Sequence, residues 1–493
     1  MKLNRLKNKK KRKMKKDLVE KFAKTKTLCT LGPSTQSAEC IKKLMLTGMD
    51  GVRLNFSHGN YKFFESVFNQ IHSACSEEET PIAILIDLQG PKIRIGELVD
   101  PEIEIIENDK IEITTEDIIG DNQKISTSYK FLPQEAEIGN MILIDDGLIK
   151  LEVIDKKNNS VVCSVRNGGI LKPRKGMNLP GMNLSTEALT EKDRNDILFA
   201  LKHRVDFIAL SFVRSANDVL KLKEFLKSQN AIRPIIAKIE KKEAIENFDE
   251  ILEVSDGIMI ARGDLGVELP AQDVPVLQKE IIKKCNSIGK VVITATQMLE
   301  SMIHNPIPTR AEASDVANAV WDGTDVVMLS GETSIGKYPI ASVKMMNDII
   351  KNAEEKIRNY HQYVFEIPKK IEDNLFDSVG RAVTNISDQI NASAIVTFTI
   401  EGRTARNLSK FRPKAKIISF TNKFETMNNL CLYWGIASVF LEEIDKEHMA
   451  IEEAKKRILE SGHLNSGDLA IFTAGAPYSE KKSRANWMRF EII

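Results

Sequence analysis

The sequence predicts an α/β protein built on a (β/α)8 TIM barrel, with a small all-β domain inserted into it and an open-sheet α/β domain after it. Three observations lead there. From Lys24 onward, short apolar β-branched runs that end in polar or Gly residues alternate with amphipathic stretches. Between the third and fourth runs the chain is too long for one helix and changes texture. The 493 residues also exceed one ordinary domain and suit roughly two to four.

In order, the runs are TKTLCTLG (25–32), GVRLNFSH (51–58), IAILIDLQG (82–90), FIALSFV (207–213), PIIAKIE (234–240), GIMIARGDLG (257–266), VVITATQ (291–297) and VVMLSGE (326–332). Near-continuous apolar runs suit strands buried on both faces of a parallel sheet. Asn217–Lys227 reads as a helix, with Val219, Leu220, Leu222 and Leu226 on its apolar face. Thr190 followed by Asp193 resembles a capping box, and Gly289 and Gly323 fall where helices would end. A helix start near Gly266 follows the sixth run.

Between Gly90 and Met177 lie IEIIE, KIEIT, MILID, IKLEV and SVVCSV, separated by Gly, Asn and Asp, which reads as an all-β insertion. After about Ile350 a helical region leads to SAIVTFTIEGRTARNLSKFRPKAKIISFT, YWGIASVFL and GDLAIFTAGAP, whose strand–helix–strand order suggests an open sheet. The expected limits are a basic arm (1–23), the barrel (24–91 and 176–350), the insert (92–175) and the C-terminal domain (351–493).

Hydrophobic residues make up 42% and charged residues 28%, and the net charge is +1, so the chain as a whole is no polyanion binder. The six cysteines form no C-x-x-C pair and no zinc spacing, which argues for a reducing, cytoplasmic setting. No apolar run reaches the roughly 18 residues of a membrane span. Lys2 through Lys16 contain no acid and precede no apolar segment. That arm reads as a solvated tail rather than a secretory signal, and it is where any nucleic-acid contact would fall.

The chemistry concentrates at the carboxyl ends of the runs, where barrel enzymes place reacting groups. Those ends carry Arg53, Asn55, Ser57 and His58; Asp87; Lys238 and Glu240; Arg262, Gly263 and Asp264; Thr294, Thr296 and Gln297; Ser330 and Glu332. Residues two apart on a strand share a face, so Lys238 and Glu240 point together into the barrel mouth. Burying such charges costs several kcal/mol per ion unless they pair or bind a ligand, and one polar rim favours a polyanionic ligand. Glu240 and Asp264 on neighbouring strands suit Mg2+ or Mn2+ completed by substrate oxygens and water. Lys238 and Arg53 supply charge where phosphoryl transfer develops it. Neither a Walker loop nor a kinase Gly-rich loop is present.

These residues sit in CTLGPST, MDGVRLNFSHG, IDLQGPKIRIGE, KGMNLPG, DFIALSFVRS, AKIE, DGIMIARGDLGVE, TATQMLESM and PTRAEASDVANAVWDGTDVVMLSGET. Together with IDDGLIKLEV and GRTARNLSKFRPKAKI, they make the chain resemble the pyruvate kinases over nearly all its length after Lys24. The resemblance implies a barrel, a β lid and a C-terminal domain, usually in a homotetramer, acting on phosphoenolpyruvate and ADP/ATP. It implies Lys238 at the transferring phosphoryl group and developing enolate, and Glu240 and Asp264 on Mg2+ or Mn2+. Arg53, Gly263 and Thr296 would contact phosphoenolpyruvate, and Asn55, His58, Arg94 and Lys175 the nucleotide. Thr296, with Ser330 and Glu332 behind a water, would deliver a proton to the enolate.

Two rivals share parts of this pattern. A metal-dependent barrel lyase shares the carboxylates but needs neither the lid nor the SFVRS and PTRAE segments, and it would cleave carbon–carbon bonds instead of forming ATP. A binding protein using the basic arm would not need Lys238, Glu240 and Asp264 intact. Two departures from the family pattern stand out. The effector loop, typically Thr-x-Ser-Gly-Lys/Arg-Ser/Thr, reads Thr399-Ile400-Glu401-Gly402-Arg403-Thr404, with Glu401 where a phosphate would sit. Fructose 1,6-bisphosphate activation is therefore not expected, and another effector would use Arg403, Lys481 or Lys482. The resemblance also implies a K+ site at Asn55, Ser57, Asp87 and Leu88. K+-dependent members continue D-T-K-G-P-E, whereas here the segment is Asp87-Leu88-Gln89-Gly90-Pro91-Lys92. Members with this variant are associated with K+ independence, and Lys92 would supply the missing charge.

Overall fold

The computed structural model describes residues 22–78, 80–182, 184–356, 363, 365–368, 370–442, 444, 446–475 and 485–493. The basic arm up to residue 21, Lys481 and Lys482 lie outside these.

Strands β1 (Lys26–Thr30), β2 (Gly51–Asn55) and β3 (Ala83–Asp87) open the barrel. The insertion follows as β4 (Ile103–Ile105), β5 (Lys110–Thr114), β6 (Lys124–Ser126), β7 (Met141–Ile144), β8 (Ile149–Lys156), β9 (Ser160–Asn167), β10 (Gly169–Leu171) and β11 (Met177–Asn178). The barrel resumes with β12 (Phe207–Leu210), β13 (Ile235–Ile239), β14 (Gly257–Ala261), β15 (Val291–Ala295) and β16 (Val326–Leu329). It closes in the order β1-β16-β15-β14-β13-β12-β3-β2, with every pair parallel.

Alternation of side chains divides each strand between two clusters. Leu28, Leu85, Phe207, Ile236, Met259 and Ile293 fill the barrel interior. Cys29, Val52, Ile86, Ile208, Ile258 and Val327 pack outward against the helices. The helices end as their sequence dictates. Thr190 and Asp193 form a reciprocal capping box, and Gly289 and Gly323 close their helices in the left-handed conformation, with φ of 75° and 96°. The helix Ala216–Ser228 buries Val219, Leu222 and Leu226, but Leu220 is exposed. Leu220 directly follows Val219, and one step of about 100° carries it off the buried stripe.

The insertion forms a six-stranded sheet, β11-β7-β8-β9-β5-β6, and a two-stranded one, β10-β4, around its own apolar cluster. The C-terminal domain adds β17 (Ala394–Phe398), β18 (Lys416–Thr421), β19 (Ile436–Phe440), β20 (Leu469–Gly475) and β21 (Ala485–Ile492), ordered β19-β18-β17-β20-β21. β21 is an antiparallel edge that the sequence reading leaves as a loop. Only Ala485 of it is buried, so it carries no apolar run to mark it.

This domain plugs the amino end of the barrel. Leu430, Leu432 and Ile436 join the interior cluster, and a Cβ on Gly51 would come within 2.9 Å of Leu432 Cδ2. Buried Lys26 donates to the Ile436 carbonyl at 2.9 Å, and Arg412 pairs with Asp325 at 2.7 Å. Breaking one side of such a buried pair typically costs about 3–5 kcal/mol. The amino end is thus sealed, and the carboxyl rim is left for chemistry.

Candidate active site

Arg53, Asp87, Ser211, Lys238 and Glu240 continue the inward sets of β2, β3, β12 and β13. Each of these side chains reaches the rim because it continues the inward alternation of its strand at or just past the carboxyl end. The centre of the arrangement is Asp87, 1% exposed. Its Oδ2 accepts from Arg53 Nε and Nη2 at 2.7 Å, and its Oδ1 faces Lys238 Nζ at 3.2 Å. Lys238 Nζ also lies 2.8 Å from Glu240 Oε1 and donates to Ser211 Oγ at 2.7 Å. Burial alone would depress the Lys238 ammonium, but Asp87 and Glu240 outweigh it and hold its pKa above the usual value. Burial likewise opposes ionisation of Asp87, and Lys238 and Arg53 overcome it, so its carboxyl stays below its usual range.

β13 pairs with β14 so that Ile239 faces Ile260, which brings Glu240 beside the start of the helix Arg262–Glu268. That helix begins four residues before Gly266, so Gly263 and Asp264 lie in its first turn. The residues Arg262, Gly263 and Asp264 can all adopt helical geometry, and the Gly at 266 does not interrupt it. Glu240 Oε2 accepts from the Phe212 N–H at 2.7 Å, and Phe212 adopts φ +56°. Burial first, and then the charge of Asp264, pushes the Glu240 pKa up. Two hard carboxylates that repel one another fit a divalent cation. Among the described residues no group of three or more His, Cys, Asp or Glu could hold a metal. Further ligands would be substrate oxygens and water, as Mg2+ prefers.

Thr296 and Gln297 at the end of β15 adopt φ of +70° and +54°, uncommon for non-Gly residues and costing of order 1–3 kcal/mol each. The turn aims Thr296 Oγ1 at the Gly263 N–H, 2.8 Å away, so this N–H is engaged by protein. Arg262 holds the turn by donating to the Thr296 carbonyl at 2.8 Å while pairing with Asp315 at 2.7 Å. Glu332 is fully buried, with its pKa raised by burial. It accepts from the N–H groups of Leu299 at 3.0 Å and Ser330 at 2.7 Å. It therefore fastens the β15 and β16 loops together.

Of the remaining candidates, Asn55 Oδ1 accepts from the Ser57 N–H at 3.1 Å. His58 is held below its usual value by partial burial, then by the cations Lys92, Arg94 and Arg53. That places Lys92 in the field of the β2 end, although its side chain is exposed. Lys175 pairs with Asp145 at 2.8 Å, and Arg94 donates to the Arg174 carbonyl at 2.9 Å. The Leu88 carbonyl accepts from Ser211 Oγ at 2.7 Å. Ser211 and Arg262 were not singled out for a role in the sequence. A lone Ser closing the apolar run FIAL was the available signal for the first, and the Arg of RGD for the second.

A closed parallel barrel whose rim gathers a buried lysine, an arginine and two hard carboxylates fits the metal-assisted phosphotransferase class. Family models described as the pyruvate kinase barrel domain and the pyruvate kinase alpha/beta domain match residues 22–343 and 377–490. The pyruvate kinase of Geobacillus stearothermophilus is 44% identical over 95% of this chain and 80% of its own length. That of Bacillus licheniformis is 44% identical over 92% of this chain and 78% of its own. A crystal structure of a pyruvate kinase from Cryptosporidium parvum superposes with a TM-score of 0.88 at 38% identity, covering 96% of this chain and 97% of that one. The chain belongs to the pyruvate kinase family. Its reaction moves the phosphoryl group of phosphoenolpyruvate to ADP, giving pyruvate and ATP, with dependence on a divalent metal.

Proposed function

We propose that this transfer runs at the rim where Asp87 pairs with both Lys238 and Arg53, the observation that carries the assignment. An acid buried between two cations fixes them before substrate arrives, so little reorganisation remains for the reaction. Lys238 and Arg53 would neutralise the transferring phosphoryl oxygens, with Gly263 and Thr296 on the carboxylate side of phosphoenolpyruvate. Glu240 and Asp264 would hold Mg2+ or Mn2+, which when bound supplies Lewis-acid charge neutralisation. Asn55, His58, Arg94 and Lys175 would take the nucleotide, whose phosphates would compete with Asp145 for Lys175. Thr296 and Ser330 would frame the path of the proton to the enolate carbon, and Glu332 would position their loops. We place the enzyme in the cytoplasm, on its six unpaired cysteines. Among the described residues no helix is long and apolar enough to cross a membrane.

We further propose that K+ is not required. Every predicted K+ ligand except Ser57 is already engaged: Asp87 by Arg53 and Lys238, the Leu88 carbonyl by Ser211, and Asn55 by the Ser57 N–H. A tethered ammonium at Lys92 adds charge without entropy of association. Fructose 1,6-bisphosphate should not activate, because Glu401 lies 3.6 Å from Arg403 Nε and offsets the charge a phosphate would seek. One coupled assay of pyruvate formation tests all three statements. We expect turnover with Mg2+ or Mn2+ and none with a chelator. With tetramethylammonium as the only monovalent cation, added K+ should raise the rate less than ~10-fold, a difference of about 1.4 kcal/mol. Lys92→Glu should make the enzyme K+-responsive. Activation by micromolar fructose bisphosphate that disappears in an Arg403 variant would refute the effector statement.

We also propose a homotetramer. Ile371 and Leu375 on the helix Ile371–Gln389, and Phe490 and Ile492 on edge strand β21, leave large apolar side chains exposed on the C-terminal domain. A monomer mass by light scattering at micromolar concentration would rule it out.

A further inference from the structure

Directly after Glu240 stands Lys241, and four residues after Asp264 stands Glu268. Both are buried, at 6% and 9% exposure, and their side chains form an ion pair across the two loops. Neither residue is needed for the chemistry assigned above. Two buried charges that only stabilised the fold would be an expensive choice, because apolar residues of similar size do as well or better. Their position offers another reason. The pair joins the residue after Glu240 to the end of the helix that carries Asp264, immediately beside the two carboxylates.

One crossing of the inserted domain meets this pair directly, and the other meets it through Phe212. On the return crossing, Asn178 of β11 donates to Glu268 Oε1 at 3.4 Å. The Asp145–Gly147 turn comes down beside it, where a Cβ on Gly147 would lie 3.7 Å from Val267 Cγ1. On the outgoing crossing, Gly90 adopts φ +64° and packs so closely on Phe212 that an added Cβ would lie 2.7 Å from the ring. Phe212 carries the Lys241 ammonium 5.7 Å from its ring centroid and donates its own N–H to Glu240. Each crossing therefore abuts one of the groups that hold the carboxylates: Phe212 for Glu240, and Glu268 for the helix that bears Asp264.

We infer that the Lys241–Glu268 pair is a positioning clamp that holds Glu240 and Asp264 at a cation-binding separation and ties that separation to the seating of the inserted lid. The inference rests on the assignment of Glu240 and Asp264 as the metal carboxylates. A lid seated through Asn178 and Gly90 keeps the clamp closed, and a lid that lifts loosens it. Metal affinity and lid position are then two readings of one equilibrium, and each biases the other.

The test is the binding of Mn2+ alone to the full chain, followed by electron paramagnetic resonance, together with steady-state kinetics. Glu268→Ala should weaken Mn2+ binding by roughly 10-fold and raise the metal concentration for half-maximal rate in parallel. At saturating metal its kcat should fall less than ~3-fold. Lys241→Arg, which keeps the charge, should stay within ~2-fold of wild type in both. The double variant Lys241→Met/Glu268→Leu removes both buried charges and so avoids an unpaired ion that could prevent folding. It should still bind Mn2+ roughly 10-fold more weakly and show faster amide exchange in residues 92–175. Wild-type Mn2+ affinity in the folded double variant, with Glu240→Gln weakened as a control, would overturn the clamp. Wild-type affinity in Glu240→Gln itself would instead overturn the carboxylate assignment beneath it.

Discussion

Replacing Lys238 with Met is expected to lower turnover by at least ~10³-fold, about 4 kcal/mol of transition-state stabilisation. Met keeps most of the stem's volume and removes the ammonium. That ammonium is largely buried, 2.8 Å from Glu240 and 3.2 Å from Asp87. Its charge is secure, because the two carboxylates more than offset the burial that opposes it. Nothing else at this point can take over. Arg53 is bound to the other oxygen of Asp87 and to Thr30 Oγ1 at 3.0 Å. The variant should fold, since the barrel interior beneath it is apolar and Asp87 retains Arg53. Folding is checked by the thermal transition, and chemistry by single-turnover formation of pyruvate. The affinity for phosphoenolpyruvate should change far less than turnover, as for a contact made mainly in the transition state. A folded variant with near-normal turnover would remove Lys238 from the mechanism.

The inward alternation of strand residues made much of this site legible. Lys238 and Glu240 are two apart and continue the inward set of β13, so their convergence needed only the period of a strand. The same rule puts Arg53 above Gly51 and Asp87 above Leu85. What the rule does not give is pairing across strands. Asp87 was placed in the sequence as a monovalent-cation ligand, and its bonds to Arg53 and Lys238 depend on the order of β2, β3 and β13 around the barrel. Ser211 is marked only as a lone hydroxyl closing an apolar run, too weak a signal to assign it a role. Its role comes from lying between Lys238 and the Leu88 carbonyl.

Backbone conformation was the other gap. Thr296, Gln297 and Phe212 all take positive φ, which no β-branched or aromatic residue advertises. The turns at 212 and 296–297 follow β12 and β15, each one strand outside the β13–β14 pair, and direct an N–H or a hydroxyl back across the rim. The fold was clearer than its edges. Buried parallel strands announce themselves as apolar runs, whereas β21 has one buried residue in eight and is recognisable only by its pairing with β20.

Glu240→Gln should require at least ~10-fold more Mg2+ for half-maximal rate and lower kcat/KM by roughly 10²-fold, about 2.7 kcal/mol. Glutamine preserves shape, and its carbonyl can still accept the Phe212 N–H that Glu240 Oε2 takes at 2.7 Å. The loop should therefore stay in place, and the loss should be one of charge. Two effects then act in opposite directions. The proposed metal loses one of two anionic protein ligands, which weakens its binding. Lys238 loses one of two carboxylate neighbours but keeps Asp87 at 3.2 Å, so its ammonium remains charged and less strongly restrained. If Glu240 served only to hold Lys238, the variant would lose turnover without any change in metal dependence, and excess Mg2+ would not help. If it is a metal ligand, raising Mg2+ should recover a large part of the lost rate. A rate-against-Mg2+ curve parallel to that of the wild type, merely scaled down, would therefore assign Glu240 to Lys238 alone and leave Asp264 as the only protein carboxylate on the metal.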